Sequence, residues 1–232
     1  MNIYIGYESS HPEMFEVCKE SILRFNPTHK IYPLVRSDLQ EQGIYTRKEE
    51  SASTEFAFTR FLVPYLSDYT GWSLFCDGDF MWRCDPQEIV HHKNTHKSVM
   101  CVKHPQFILE DKIKMDGKIN RPYKKKYWSS LMYFNNALCT SLSLWYVNNA
   151  AAVHLHGFSW ALGHDYPGDG VGDLPASYNA MVGYYDFGNY AKAVHFTDGG
   201  PWLGDHNNFK HPLYEKEWIN LSEQLKTKKS SL

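Results

Sequence analysis

No stretch of this chain approaches the roughly 18 consecutive apolar residues that a membrane-spanning helix needs, so no transmembrane segment is expected. The leading residues, Met1 to Tyr7, place no basic cluster ahead of their short apolar run. They read as a strand and not as a secretory leader. Charge of one sign is also missing. With 24 basic against 26 acidic side chains the net charge is −2, too little to draw the whole molecule to nucleic acid or to an anionic membrane, and no nucleic-acid partner is expected. Cysteines are few: Cys18, Cys76, Cys84, Cys101 and Cys139 are odd in number, widely spaced and set mostly in apolar runs. Such a set argues against a disulfide framework and predicts buried free thiols in a reducing, cytoplasmic compartment. Aromatic residues, in contrast, are abundant at 16%, a composition that serves core packing and also ring stacking on sugars or bases.

At 232 residues the natural expectation is one α/β domain with a substantial core, here over 1–224 with a frayed Lys- and Ser-rich tail over 225–232. Residues 2–7 read as a buried strand. An amphipathic helix follows from Glu13 to Arg24, with Pro12 at its start, where a missing N–H is harmless. Ile31 to Val35 is a second strand, and the spacing predicts a parallel βαβ unit. Ser53 to Leu66 has helical spacing with Ser53 or Thr54 as cap. After Gly71, Trp72 to Cys76 is an apolar strand, and Ser98 to Val102 another. The polar stretch 104–126 reads as a long loop, Ser129 to Thr140 as a return to the core, Leu142 to Ala152 as a helix, and 164–173 as a glycine-rich mobile loop of the kind that closes over a ligand. A mostly parallel central sheet flanked by helices is the predicted architecture.

The strand Trp72–Cys76 runs straight into Asp77-Gly78-Asp79. That places two carboxylates at the carboxyl end of a central strand, where open α/β sheets bind ligands. Two carboxylates one residue apart repel each other unless a cation lies between them. Oxygen ligands suit Mg²⁺ or Mn²⁺, and an added imidazole tilts the choice toward Mn²⁺. A surface turn is the bland alternative for Asp-x-Asp, but such a turn is not normally preceded by Ser73-Leu74-Phe75-Cys76 and followed by Phe80-Met81-Trp82. Much later, Ala193-Val194-His195 ends a second apolar strand, and the Gly199-Gly200 turn after it lets backbone N–H groups approach a phosphate closely. His195 is a candidate metal ligand; a structural histidine before a tight turn is the other reading.

Together these segments resemble the family 8 glycosyltransferases and their relatives, which have the GT-A (Rossmann-like) fold and join a strand-end Asp-x-Asp to a later His whose segment ends in Pro-Trp. The resemblance spans nearly the whole chain, from Ile3 to Trp202. It is most specific to a compact bacterial and phage branch, through Val17-Cys18-Lys19-Glu20-Ser21-Ile22, Ser53-Thr54-Glu55-Phe56, Arg60-Phe61-Leu62-Val63-Pro64-Tyr65-Leu66, Lys114-Met115-Asp116-Gly117, Trp128-Ser129-Ser130-Leu131-Met132, Leu174-Pro175 and Val182-Gly183. The resemblance implies a hexosyltransferase-type enzyme. Asp77, Asp79 and His195 would hold the metal, and a nucleotide-diphosphate sugar, UDP-linked by preference, would complete its coordination. Transfer would go to a glycan or lipid-linked saccharide, with retention of configuration. Tyr7 then matches the residue that packs the base, Arg60 the arginine beside the acidic pair, and Asn135 an asparagine facing the sugars. Gly78, Gly199 and Gly200 fall where backbone meets the donor.

Two departures stand out. The wider family's lysine before Pro-Trp is Gly200 here, which points to Lys124, Lys125 or Lys126 for the phosphate. The branch's Glu before Trp-Asn is Ser177 before Tyr178-Asn179, which leaves Asp169 and Asp173 as nearby carboxylates. A metal-dependent nucleotide-sugar phosphohydrolase or a nucleotidyltransferase could use the same carboxylates, and a non-catalytic sugar-binding module is the remaining alternative.

Overall fold

The computed structural model describes residues 1–48, 52, 54–104, 112–113, 119–120, 127–162, 169–184, 186–204 and 210–230. In chain order the regular elements are β1 (Asn2–Gly6), α1 (Pro12–Leu23), β2 (Lys30–Leu34), α2 (Arg36–Glu41), α3 (Val63–Leu66), β3 (Trp72–Cys76), β4 (Phe80–Trp82), β5 (Val99–Lys103), β6 (Lys112–Ile113), β7 (Ile119–Asn120), β8 (Tyr127–Asn135), α4 (Leu144–Asn149), α5 (Ala152–His156), β9 (Val171–Leu174), β10 (Ala180–Met181), β11 (Ala193–His195) and α6 (Pro212–Ser230). Six strands form the main sheet in the order β2-β1-β3-β8-β5-β9. β1 pairs in parallel with β2 and β3, and β5 with β9, whereas β8 runs antiparallel to both its neighbours. The sheet is therefore mostly parallel, as expected.

Strand alternation divides the core. Ile3, Ile5, Leu74, Cys76, Leu131, Tyr133, Met100 and Val102 bury themselves on one face under α1, while Tyr4, Phe75, Met132, Phe134, Val99 and Cys101 pack on the other with Phe58, Phe61 and Trp160. Neighbouring residues along each strand thus serve opposite layers. A third cluster joins α6, through Tyr214, Trp218 and Leu221, to Val17, Met81, Val194 and Phe196. It lies beside a small sheet ordered β10-β11-β4. All five cysteines are free thiols, four of them buried.

Several expectations change. The segment before Leu66 is not one helix: Ser53 lies outside the described residues, and turns lead to a 3₁₀ stretch over Thr59–Leu62 before the short α3. Pro64 lacks an N–H and its ring would clash with the carbonyl four residues earlier, so a continuous helix through it is unfavourable. The expected helix over Leu142–Ala152 is two short helices, broken where Ala150 and Ala151 turn extended. The expected loop 164–173 ends in β9, whose Val171 to Leu174 lie beside Val99 to Val102; residues 164–168 lie outside the described set. Within 104–126 the two short strands β6 and β7 pair antiparallel. Residues 225–230, expected to fray, continue α6, and Lys228 there pairs with Glu20 of α1.

Candidate active site

The turn after β3 is built so that only glycine fits at its centre. A Cβ on Gly78 would stand 2.4 Å from the Gly6 carbonyl oxygen, so the Asp-Gly-Asp turn lies directly against the end of β1. The Asp77 N–H donates to Ser130 O at 2.9 Å, and the Phe196 N–H donates to Asp79 O at 3.1 Å. Those two bonds tie the acidic turn to β8 on one side and to the residue after β11 on the other. β11 runs antiparallel to β4 with His195 opposite Phe80. Their rings stack at 4.5 Å and 19°, which orients the imidazole.

Asp77, Asp79 and His195 thereby meet: one ligand atom from each lies within 4.8 Å of the others. Asp79 Oδ1 is 3.4 Å from His195 Nε2. On the far side of the ring, His195 Nδ1 is 2.9 Å from Asn179 Oδ1, and the Asn179 amide donates to Ser130 Oγ at 3.0 Å. With the amide so oriented, Asn179 Oδ1 accepts from Nδ1–H and the Nε2 lone pair faces the carboxylates. This is the arrangement of a metal-ligating histidine with its outer nitrogen held by an acceptor. A lone pair and two carboxylates this close to one another fit a divalent cation.

Arg60 stands beside this cluster, buried to 6% exposure. Its Nη1 is 2.9 Å from Asp77 Oδ1 and donates to Ser129 O at 2.9 Å, and its Nε donates to Phe56 O at 3.1 Å. The guanidinium lies between the rings of Phe56 and Phe75. Ser129 Oγ in turn meets His156 Nδ1 at 3.0 Å. His104, at the end of β5, is nearly fully buried. Burial first, and the nearby His195 second, push its pKa down to about 3, so it stands neutral near pH 7.

A cleft of about 300 Å³ opens next to Asp79, lined among others by Glu8, Ser10, Phe196, Asp198, Gly199 and Trp202. Gly199 adopts φ +109°, which favours glycine, and a Cβ on Gly200 would strike the Trp202 ring at 2.4 Å. Asp198 accepts from Tyr184 Oη at 3.0 Å. Burial and then this carboxylate raise the Tyr184 hydroxyl to about 12.

Of the residues singled out from sequence, Asp77, Gly78, Asp79, Arg60 and His195 come together, and Gly199 lines the adjoining cleft with Gly200 beside it in the turn. Tyr7 packs edge-on against Phe15 at 5.8 Å, while its successors Glu8 and Ser10 line the cleft. Asn135 does not reach the site. It pairs with Trp72, the first residue of β3, whereas Leu131 pairs with Cys76. Four steps along a strand span roughly 13 Å. Because β8 is antiparallel to β3, its early residues Ser129 and Ser130 meet Arg60 and Asp77 respectively, and Asn135 instead donates to Thr95 O at 3.1 Å. Asp169 and Asp173 are ion-paired with Lys97 and Lys103 on the β5–β9 side. Lys124, Lys125 and Lys126 lie outside the described residues. Asn179, Ser130 and Phe80 were passed over as site residues in the sequence, although each stands in a stretch singled out there; Asn179 lies where a glutamate was sought and found replaced by Ser177.

No family model matches the chain. Protein CDI of Arabidopsis thaliana is 33% identical to it over 231 residues, which are 96% of this chain and 86% of the relative. The chain belongs to the family of protein CDI. Solved structures related to this CDI-family chain by fold include the galactosyltransferase LgtC, in complex with donor and acceptor sugar analogues, at TM-score 0.57 and 12% identity over 97% of this chain and 96% of LgtC. The glycosyltransferase GlyE of Streptococcus pneumoniae matches at TM-score 0.58 and 13% identity over 98% of this chain. The bifunctional glycosyltransferase WbbM matches at TM-score 0.52 and 15% identity over 86% of it. The chain spans 64% of the GlyE chain and 46% of the WbbM chain. Shared across these is the GT-A fold, which the CDI-family chain has as a single α/β unit.

Proposed function

We propose that this CDI-family protein is a metal-dependent glycosyltransferase that moves a sugar from a nucleotide-diphosphate sugar, UDP-linked by preference, to a hydroxyl of a glycan or lipid-linked saccharide, with retention of configuration. The observation that carries the reading is the convergence of Asp77, Asp79 and His195 at the carboxyl end of β3, beside a cleft of about 300 Å³ and on a fold shared with glycosyltransferases. The donor set fits Mn²⁺ or Mg²⁺, since carboxylate oxygens suit both and the imidazole favours Mn²⁺. Bound there, the ion supplies Lewis-acid stabilisation of the departing nucleoside diphosphate.

The chain's own residues do the positioning. Asn179 holds His195 in one tautomer, and Ser130 O fixes the backbone of Asp77. Arg60 offsets the Asp77 charge from its buried slot, so the site carries less negative charge against an incoming diphosphate. The turn at Gly199 and Gly200 brings main chain to the cleft edge without a side chain in the way. The acceptor hydroxyl would attack from the face the diphosphate leaves. Incubation with UDP-sugars, Mn²⁺ and saccharide acceptors tests the reading. A glycosylated acceptor plus free UDP is expected. Free sugar plus UDP formed at the same rate with and without acceptor would assign the site to a nucleotide-sugar hydrolase, and sugar 1-phosphate plus UMP to a phosphohydrolase of the diphosphate.

A further inference from the structure

The cleft beside Asp79 is acidic: Glu8, Asp79 and Asp198 line it, and among the described residues no lysine or arginine does. A diphosphate entering it adds negative charge to negative charge, and the Arg60 guanidinium is already committed to Asp77 and to the Phe56 and Ser129 carbonyls. Lys210 differs. Its Nζ stands 3.1 Å from Asp198 Oδ2, its side chain is 37% exposed, and its stem lies over Gly183, where a Cβ would come within 3.1 Å of Lys210 Cδ. The same Asp198 Oδ2 also accepts from the Tyr184 hydroxyl at 3.0 Å, so the carboxylate keeps a donor when the lysine turns away.

We propose that Lys210 is a diphosphate contact of this site and that Asp198 competes with the diphosphate for it. Without nucleotide, Asp198 keeps the ammonium at the lip of the cleft. When a diphosphate enters, the three N–H donors of Lys210 serve phosphate oxygens as well as, or in place of, Asp198. The residues just before α6 thus supply the cation that the Gly199-Gly200 turn cannot. The inference rests on the reading of the cleft as a nucleotide-sugar site.

Calorimetric titration in excess Mn²⁺, with UDP, GDP or ADP and with the matching nucleoside as control, tests it. Lys210→Met should weaken diphosphate binding about 10- to 100-fold, the range for a lost hydrogen bond to a charged group. Nucleoside binding and the melting temperature should stay at their wild-type values, and Lys210→Arg should restore most of the loss. Asp198→Asn should bind the diphosphate at least as tightly as wild type, because it removes both a repelling charge and a competitor. A purely structural Lys210–Asp198 pair would weaken both variants together. Wild-type affinity in Lys210→Met, or parallel loss in Asp198→Asn, overturns the inference. If the wild-type protein binds none of the three diphosphates in Mn²⁺, the nucleotide-sugar reading itself fails.

Discussion

Asn179 sets which nitrogen of His195 carries the proton and so leaves a lone pair on the Nε2 that faces Asp79, and it does so from outside the cluster. Removing such an outer partner typically costs 10- to 100-fold in metal affinity. Asn179→Ala is therefore expected to weaken Mn²⁺ binding by about that factor while the chain still folds, as read by electron paramagnetic resonance of free Mn²⁺. Unchanged affinity would mean that the tautomer is set elsewhere. Arg60 poses the complementary case. Breaking a buried ion pair by removing one partner costs about 3–5 kcal/mol, so Arg60→Met should lower metal-free stability by an amount of that order in chemical denaturation, and added Mn²⁺ should recover more stability in the variant than in wild type. At this scale the cluster of Asp77, Asp79 and His195 was legible as a candidate metal site, because carboxylates after an apolar strand have few other uses. The asparagine that supports them was not, since one polar residue in a short 3₁₀ stretch carries no periodic signal. Asn135 shows the opposite failure: the resemblance placed it at the site, but only the antiparallel direction of β8 says which end of that strand meets Asp77.

Strands were easier to read than helices in this chain. β1, β2, β3, β5 and β11 fall where apolar runs end at Gly, Pro or charged residues, whereas the helical spacing before Pro64 and around Ala150 marked buried residues in 3₁₀ turns and in two separate short helices. Burial gives one-sided spacing to any compact turn, so periodicity alone does not separate these cases. Asp85 shows how such a short element is held. Its side chain caps the 3₁₀ stretch Pro86–His92 by accepting from the Gln87 N–H, and it also meets His29 Nε2 at 2.7 Å and Asn26 at 3.2 Å across the link from α1 to β2. Burial alone would raise the Asp85 carboxyl, but the bonds from Gln87, His29 and Asn26 bring it below its ordinary 3.8. A lowered folded-state value means that the ionised form contributes stability above the ordinary carboxylate range, and that this contribution is lost as the pH falls through the folded value. Asp85→Ala should cost about 1 kcal/mol or more at neutral pH. Its deficit against wild type should narrow below pH 3.8; a deficit independent of pH would assign the loss to packing.

Across the whole molecule, the candidate site leans on a helix that contributes none of Asp77, Asp79 and His195. α6 covers Met81, Val194 and Phe196 with Tyr214, Trp218 and Leu221, and Glu217 on it takes a two-pronged bond from Arg83 at 2.9 Å each way. Trp218→Ala is expected to cost about 3–5 kcal/mol, as large core truncations do, and to weaken Mn²⁺ binding through the strand that carries His195. Sequence alone marked the tail as frayed because its lysines and serines look solvated, yet a solvated face is what an outer helix presents. The central claim is that residues from distant parts of the chain, Asp79 after β3 and His195 at the end of β11, share one divalent ion. Equilibrium Mn²⁺ binding to wild type, Asp79→Asn and His195→Ala tests it most directly, with circular dichroism to establish that all three are folded. One tight ion in wild type, and a loss of at least about 10- to 100-fold in each variant, is the expected result; wild-type affinity in either folded variant would contradict it.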